Sequence, residues 1–510
     1  MVRTVVLVIL DGWGIGLENE SNPIHVVQPQ NFRALAEQYP TASLQASGIS
    51  VGLPWGETGN SEVGHLTLGA GKTVYQYYPK IMMAIRDGMF FENPALKSAL
   101  QHAKQHNSSV NLVGLLSKAN THASLDQLHA LISMAEQEGV PIKLHLFADG
   151  KDSPPRTLEE FLATLPQEKI CTLIGRYYAM DRNQHWQLTE RAYECLTGSG
   201  GERVQDPSQA VRDIYAQGLS EEFLPPLRMK NGAPIEENDA VIFFNFREDS
   251  IRQLSEAFLL PTFSAFPTKK FQNVFFATFT RYEDSFTAPA AFLPDTVQQS
   301  LGYAVSQAGK VQLRIAETYK YAHITYFMNG YREPPYENEY RVLIPSLNLM
   351  HPDEQPELRA SAITDRLIEA VQNRAFDLIV ANYANADTIG HSGNYQAAIE
   401  AVKVLDREIG RVVKAVGDMG GLLVITSDHG NLEEMVNPMT GAAETQHDPN
   451  PVPLYLVGKE FMGKKFAGVR DLTRETTGIL SDVAPTVLEL MDIPIPGEMT
   501  GKSLLRNLVG

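Results

Sequence analysis

Cysteine is nearly absent: the 510 residues hold two, Cys171 and Cys195, in no metal-like spacing. That leaves no disulfide framework and no thiolate centre, and it suits a reducing compartment. Long apolar runs are missing too. Nothing approaches the ~20 apolar residues of a membrane-spanning helix. The short run Thr4–Leu10 ends at Asp11-Gly12 with no small-residue cleavage site, which argues against a secretory signal. Basic charge is in deficit. Lys and Arg number 43 against 60 Asp and Glu, and the net charge of −17 disfavours wholesale nucleic-acid binding. Repeats, low-complexity tracts and long linkers do not occur. The expectation is a cytoplasmic monomer with neither a membrane nor a nucleic-acid partner, too long for a single core and so built of two or more domains.

What is there is a recurrent apolar, β-branched run. Thr4–Leu10 is the first, followed by Val110–Leu116, Ile142–Phe147, Ile170–Ile174, Ala240–Phe246, Val274–Phe279, Asp377–Tyr383, Leu422–Thr426 and Pro453–Val457. Continuous apolar runs of this length read as strands buried on both faces. Helical patterns lie between many of them. Ser124–Glu138 has a candidate capping box in Ser124 and Gln127 and a stop at Gly139. Gln396–Val416 ends at Gly417, and Asp482–Leu490 carries Pro485 in its first turn. Alternating strands and helices predict an α/β fold with mostly parallel sheets. Breaks in the pattern fall near Tyr75–Tyr78 and Ala288–Asp295.

The first polar groups after the predicted strands include Asp11, Ser117, Asp149, Arg176, Arg247, Asp387 and Asp428. Open parallel sheets bind ligands beyond these carboxyl ends. Asp387 and His391 sit four residues apart in NYANADTIGHSG, Asp428-His429 follows a strand in ITSDHGN, and His447 lies in TQHDPNP. Asp and His together suit Mn²⁺, Zn²⁺, Mg²⁺ or Fe²⁺, and the set is large enough for two ions. Paired ions clamp the attacking and leaving oxygens of phosphoryl transfer. Ser61 lies in the glycine-dense stretch LPWGETGNSEVGHLTLGAGK, outside any GxSxG elbow. Local sequence leaves it open between a helix cap and a nucleophile activated by metal. Lys151, Arg176, Arg182, Arg247, Arg252 and Lys320 form a basic set suited to phosphate and carboxylate.

Together VILDGWG, GNSEVGH, DGKD, GRYYAMDR, NFRED, RIAETYKY, the Asp387/His391 motif, SDHGN and HDPNPVP resemble cofactor-independent phosphoglycerate mutases of the alkaline phosphatase-like superfamily. The resemblance spans essentially the whole chain. It implies two α/β domains: a phosphatase-like, parallel-sheet domain of residues 1–75 with 295–510, and an inserted substrate domain of residues 76–294. It implies two Mn²⁺, one held by Asp387, His391 and His447, the other by Asp11, Ser61, Asp428 and His429. Lys320 would orient Ser61, His122 and Asp152 would contact the glycerate and move protons, and Arg176, Arg182 and Arg247 would hold phosphate and carboxylate. The implied reaction interconverts 2- and 3-phosphoglycerate through phosphoserine, without 2,3-bisphosphoglycerate. A metal-dependent phosphatase, another phosphomutase or a non-catalytic scaffold would be the alternatives. This chain departs from the family pattern at Lys151, where an Arg is usual, and at Ser250, where a second Arg is usual; Arg252 and Lys118 are candidate replacements. Glu62 and His65 carry no assignment.

Overall fold

In the computed structural model residues 3–437, 439–468 and 475–510 are described. The chain forms two compact units, residues 1–75 with 295–510 and residues 76–294. The first is built on an eight-stranded sheet. Its order is Glu339–Ile344, Gln312–Glu317, Leu378–Tyr383, Val5–Leu10, Leu422–Thr426, Val452–Val457, Thr41–Gln45 and Gly478–Ile479. The first five strands run parallel, and Val452–Val457 is antiparallel to both neighbours. Side chains alternate across a strand, so each face of Val5–Leu10 needs its own apolar cover. Val6, Val8 and Leu10 pack with helices Ala360–Asn373 and Tyr395–Asp418, while Val5, Leu7 and Ile9 pack with Leu301–Gln307 and Val483–Leu490.

The second unit has a seven-stranded sheet in the order Glu202–Val204, Leu227–Met229, Ile170–Gly175, Ile142–Ala148, Val110–Leu116, Ala240–Phe243 and Phe275–Thr278. All its pairings are parallel except that of Leu227–Met229 with Ile170–Gly175. Among the described residues no helix is long and apolar enough to cross a membrane.

Four sequence expectations need correction. The strand from Ala240 ends at Phe243, short of Phe246, because Asn245 turns its amide to Leu115 N and leaves the ladder. Gln127 closes no capping box: it is fully buried and both side-chain polar atoms lack partners, while Ser124 accepts from Asp126 N. The long helix runs through Gly417 to Asp418, since Gly420, with φ at 69°, supplies the left-handed residue that ends it. Thr41–Gln45, Gln312–Glu317 and Glu339–Ile344 are strands although polar residues interrupt them, so no continuous apolar run marks them. In Gln312–Glu317 the polar groups are buried within the sheet, where Arg314 donates to Gln312 Oε1 at 2.7 Å.

Helix Ser61–Ala70 passes so close to the turn after His323–Phe327 that a Cβ on Gly69 would lie 1.9 Å from the Met328 carbonyl oxygen. Gly69→Ala is therefore expected to cost about 2 kcal/mol and to lower Tm by roughly 4–8 °C. Calorimetry checks this; an unchanged Tm would show that helix and turn separate freely.

Candidate functional site

Four neighbouring parallel strands of the first unit end in charged groups. Asp11 follows Val5–Leu10, Asp387 follows Leu378–Tyr383, Asp428 follows Leu422–Thr426 and Lys320 follows Gln312–Glu317. Adjacent strands lie ~4.8 Å apart, so the sheet itself draws these groups together. Asp11 and Asp428 are fully buried and Asp387 nearly so. Lys320 Nζ donates to Asp11 Oδ1 at 2.6 Å, to Asp387 Oδ2 at 2.6 Å and to Ser61 Oγ at 2.7 Å.

Ser61 is the first residue of its helix, and the cap is Asn60, whose side chain accepts from Val63 N at 3.1 Å. That frees the Ser61 hydroxyl, which lies 2.9 Å from Asp11 Oδ1 and 3.0 Å from His429 Nε2. The close approach depends on Gly64, where a Cβ would sit 2.6 Å from the Asp428 carbonyl oxygen.

Three histidines present the same nitrogen to this place. His391 Nδ1 faces Thr445 O at 2.9 Å, His447 Nδ1 faces Gly59 O at 2.8 Å and His429 Nδ1 faces Gly430 O at 3.2 Å. A carbonyl can only accept, so each Nδ1 carries a hydrogen, and each Nε2 offers a lone pair once its ring is neutral. His391 Nε2 and His447 Nε2 then meet at 3.0 Å, each 3.2 Å from Asp387 Oδ1. Three lone pairs converging on one point repel unless a cation lies among them. Asp387, His429 and His447 form one compact donor group, and Asp11, Asp428 and His429 a second. His429 belongs to both, and Ser61 adjoins the second. Hard oxygens with imidazole nitrogens fit a divalent transition ion.

Where only protons compete for these atoms, the charges set the titration. Burial opposes ionisation of Asp11, but Lys320 and the hydrogen bond with His429 outweigh it and hold the carboxyl far below its usual range. Asp387 is depressed for the same reason, against burial, by Lys320, His391 and His447. Burial disfavours charge on His429 as well, yet Asp428 and Asp11 push it up to about 10.

In the second unit a cavity of about 510 Å³ is lined by His122, Lys151, Arg176, Arg182 and Ser250, among others. The Arg176 guanidinium, nearly buried, donates to Asp149 Oδ1 at 2.6 Å and lies 2.8 Å from Asp152 Oδ2. His122 Nε2 is 3.5 Å from the same Asp152 oxygen. Burial, reinforced by Arg176 and Arg247 against the pull of Asp152, lowers His122 to about 4, so the ring is neutral near neutrality. Asp149 shapes the loop, accepting from Lys151 N, Asp152 N, Ser153 N and Ser117 Oγ.

Arg247 and Arg252 do not line this cavity, although the charge of Arg247 reaches His122, which does. Arg247 pairs with Asp249 at 3.1 Å, and Arg252 donates to Tyr282 O at 2.8 Å, directed at the backbone and at Glu283. Lys118 stacks over the Phe161 ring. Ser250 lines the cavity with an uncharged hydroxyl.

A family model for the metalloenzyme superfamily matches residues 3–495. The 2,3-bisphosphoglycerate-independent phosphoglycerate mutase of Pseudomonas entomophila strain L48 is 43% identical over 513 residues, covering 99% of this chain and 98% of that protein. The Synechococcus sp. strain JA-2-3B'a(2-13) protein of the same name is 44% identical, covering 99% of this chain and 96% of its own. The crystal structure of Leishmania mexicana phosphoglycerate mutase at low cobalt concentration aligns with a TM-score of 0.54 at 25% identity, over 100% of this chain and 98% of that one. The chain belongs to the 2,3-bisphosphoglycerate-independent phosphoglycerate mutases. These fall within a superfamily of metalloenzymes, in keeping with the donor groups around His429.

Several residues of the centre carried little or no signal in the sequence. His65, one helical turn beyond Ser61, is fully buried, with Nδ1 2.9 Å from Ser61 O and 3.0 Å from Asp428 Oδ2. Asn382 Nδ2 donates to Asp11 Oδ2 at 2.7 Å and lies 2.9 Å from His65 Nε2. The i,i+4 spacing of Ser61 and His65, and a lone amide inside an apolar strand, are the signals that could have found them.

A cation held at His429 Nε2 would displace the proton there. In chain stripped with a chelator that proton stabilises the fold fully below pH 6.5, and the contribution is lost as pH rises through about 10. Mn²⁺ uptake near pH 8 is therefore expected to release about one proton per chain. Calorimetry in buffers of different ionisation enthalpy measures this; binding with no proton release would contradict it.

Proposed function

We propose that the protein interconverts 2- and 3-phosphoglycerate without 2,3-bisphosphoglycerate, by way of phosphoserine at Ser61, and does so as a cytoplasmic monomer. The observation that carries this reading is the surroundings of Ser61 Oγ: an ammonium at 2.7 Å, a carboxylate at 2.9 Å and an imidazole nitrogen at 3.0 Å. A free serine hydroxyl is a weak nucleophile and needs such neighbours to lose its proton.

Asp387, His391 and His447 would hold one divalent cation, Mn²⁺ by family resemblance, and Asp11, Ser61, Asp428 and His429 a second. Bound there, the ions would lower the hydroxyl's pKa and neutralise charge on the phosphoryl oxygens. Lys320 orients Ser61 Oγ and adds positive charge beside the transferring group. The Ser61 oxygen forms a bond to phosphorus as the bond to the glycerate oxygen breaks, and that oxygen takes a proton. The proton Ser61 gave up is matched by the one the glycerate oxygen takes. After the glycerate turns, its other hydroxyl gives up a proton and takes the phosphoryl group back, and Ser61 Oγ regains its proton, so protons balance over the cycle. Arg176, Arg182 and Lys151 suit the substrate's phosphate and carboxylate, and the cavity they share has room for a molecule of that size. Arg247 acts through its charge on His122, whose neutral ring, with Asp152, suits proton transfer to and from the glycerate hydroxyls.

The test is a coupled assay with 3-phosphoglycerate and Mn²⁺ and without 2,3-bisphosphoglycerate. Turnover is expected, EDTA should abolish it and Mn²⁺ should restore it. Ser61→Ala should lower kcat at least ~10³-fold with the fold unchanged by circular dichroism. Release of inorganic phosphate in place of 2-phosphoglycerate would identify a phosphatase, and substantial turnover by Ser61→Ala would remove the phosphoserine step.

A further inference from the structure

Glu433 touches none of the groups discussed as cation ligands, yet it is joined to the loops that carry them. Its carboxylate is 1% exposed. Oε2 accepts from Gly14 N at 2.9 Å and from Asn431 N at 2.9 Å, and Oε1 accepts from Asn450 Nδ2 at 3.2 Å. Gly14 follows Asp11, Asn431 follows Asp428 and His429, and Asn450 follows His447. Asn431 extends the link to a fourth loop, its Nδ2 lying 3.2 Å from Asp387 Oδ1. The packing leaves no slack: a Cβ on Gly14 would sit 2.0 Å from Glu433 Oε1, and one on Gly430 2.1 Å from it.

Every partner of this carboxylate is a hydrogen-bond donor. Only a carboxylate accepts from all three as they stand; a glutamine faces the Asn450 Nδ2 with an NH2 of its own and needs that amide turned over. We propose that Glu433 is a positioning residue that fixes the spacing between the two donor groups that share His429. It acts by holding the loops of Asp11, of Asp428-His429 and of His447 on a single buried carboxylate. This rests on the reading that those groups hold divalent cations.

Loss of a partner that orients metal ligands costs roughly 10–100-fold in affinity. Glu433→Gln can keep its oxygen toward Gly14 and Asn431, and then loses the bond from Asn450. Asn450→Ala removes the same bond from the other side. The experiment titrates chelator-stripped full-length chain with Mn²⁺, follows free ion by electron paramagnetic resonance, and records the Tm of the stripped chain. Wild type is expected to bind two ions. Each single variant should bind Mn²⁺ about 10-fold more weakly, and the double variant no more weakly than either single one. The Tm of the stripped Glu433→Gln chain should stay within about 2 °C of wild type.

Wild type that takes up no Mn²⁺ overturns the cation reading, and this inference with it. Two ions bound by wild type and bound equally tightly by Glu433→Gln overturn the inference alone. So do fully additive losses in the double variant. Gly69→Ala serves as the stability control: if it weakens Mn²⁺ binding as much as Glu433→Gln does, Glu433 merely holds the fold and the proposal fails.

Discussion

Three carboxylates that the sheet forces into one buried place govern the first unit. Asp11, Asp387 and Asp428 stand at the ends of adjacent strands, where water cannot screen them. Removing a carboxylate from water costs several kcal/mol, and like charges at this range add to it. The fold answers with cations. Lys320 reaches between Asp11 and Asp387, and His429 keeps a proton up to about pH 10. Amides and imidazoles fill the remaining positions: Asn382 and His65 at Asp11 and Asp428, Asn431 at Asp387. Such a centre is unstable as a set of bare anions and stable as a cage for positive charge. The proposed binding of divalent ions there and the proposed activation of Ser61 would have that common origin.

The second unit solves the opposite problem. The chain as a whole is acidic, so an anionic substrate must be captured against the overall field. Parallel strand ends again supply the groups. Ser117, Asp149 and Arg176 follow three adjacent strands, and the Asp149 carboxylate fixes both the guanidinium of Arg176 and the loop of Lys151 and Asp152. A carboxylate paired with a guanidinium beside the proposed anion pocket looks self-defeating. It places a fixed, planar guanidinium where a lone surface arginine would sample many rotamers, so less entropy remains to be lost when the ligand binds.

What the sequence displayed followed from apolar continuity. Val110–Leu116 and Leu422–Thr426 stand in the structure with the bounds their runs suggested, and Asp11, Asp387 and Asp428 appear just after such runs. What it hid were buried polar groups. The strand that delivers Lys320 contains Gln312, Arg314 and Glu317, all buried, and no periodicity reveals a strand whose interior is polar. Gln127 misled in the converse way, since a residue with capping chemistry was spent inside the core. Arg252 belonged to the basic set that follows predicted strands; the short turn Glu248–Ser250 precedes it, and its Nε donates to Tyr282 O. Glu433 carried no signal: its role depends on three loops that only the folded chain brings together.

The same dependence explains why Ser61 was undecided locally. Its hydroxyl meets Asp11, Lys320 and His429, which lie 50, 259 and 368 positions away along the chain. The site exists only when those segments have met, although residues 76–294 intervene. Loop-closure entropy grows only logarithmically with length, so even a whole folded unit between them adds little to the cost of meeting. What does need fixing is the pair of chain ends at the insertion. Lys72 Nζ donates to Thr296 O at 2.8 Å and to Glu498 Oε1 at 2.6 Å, while Glu498 also accepts from the backbone of Gln298 and Gln299. One lysine–glutamate pair thus closes the first unit across the insertion.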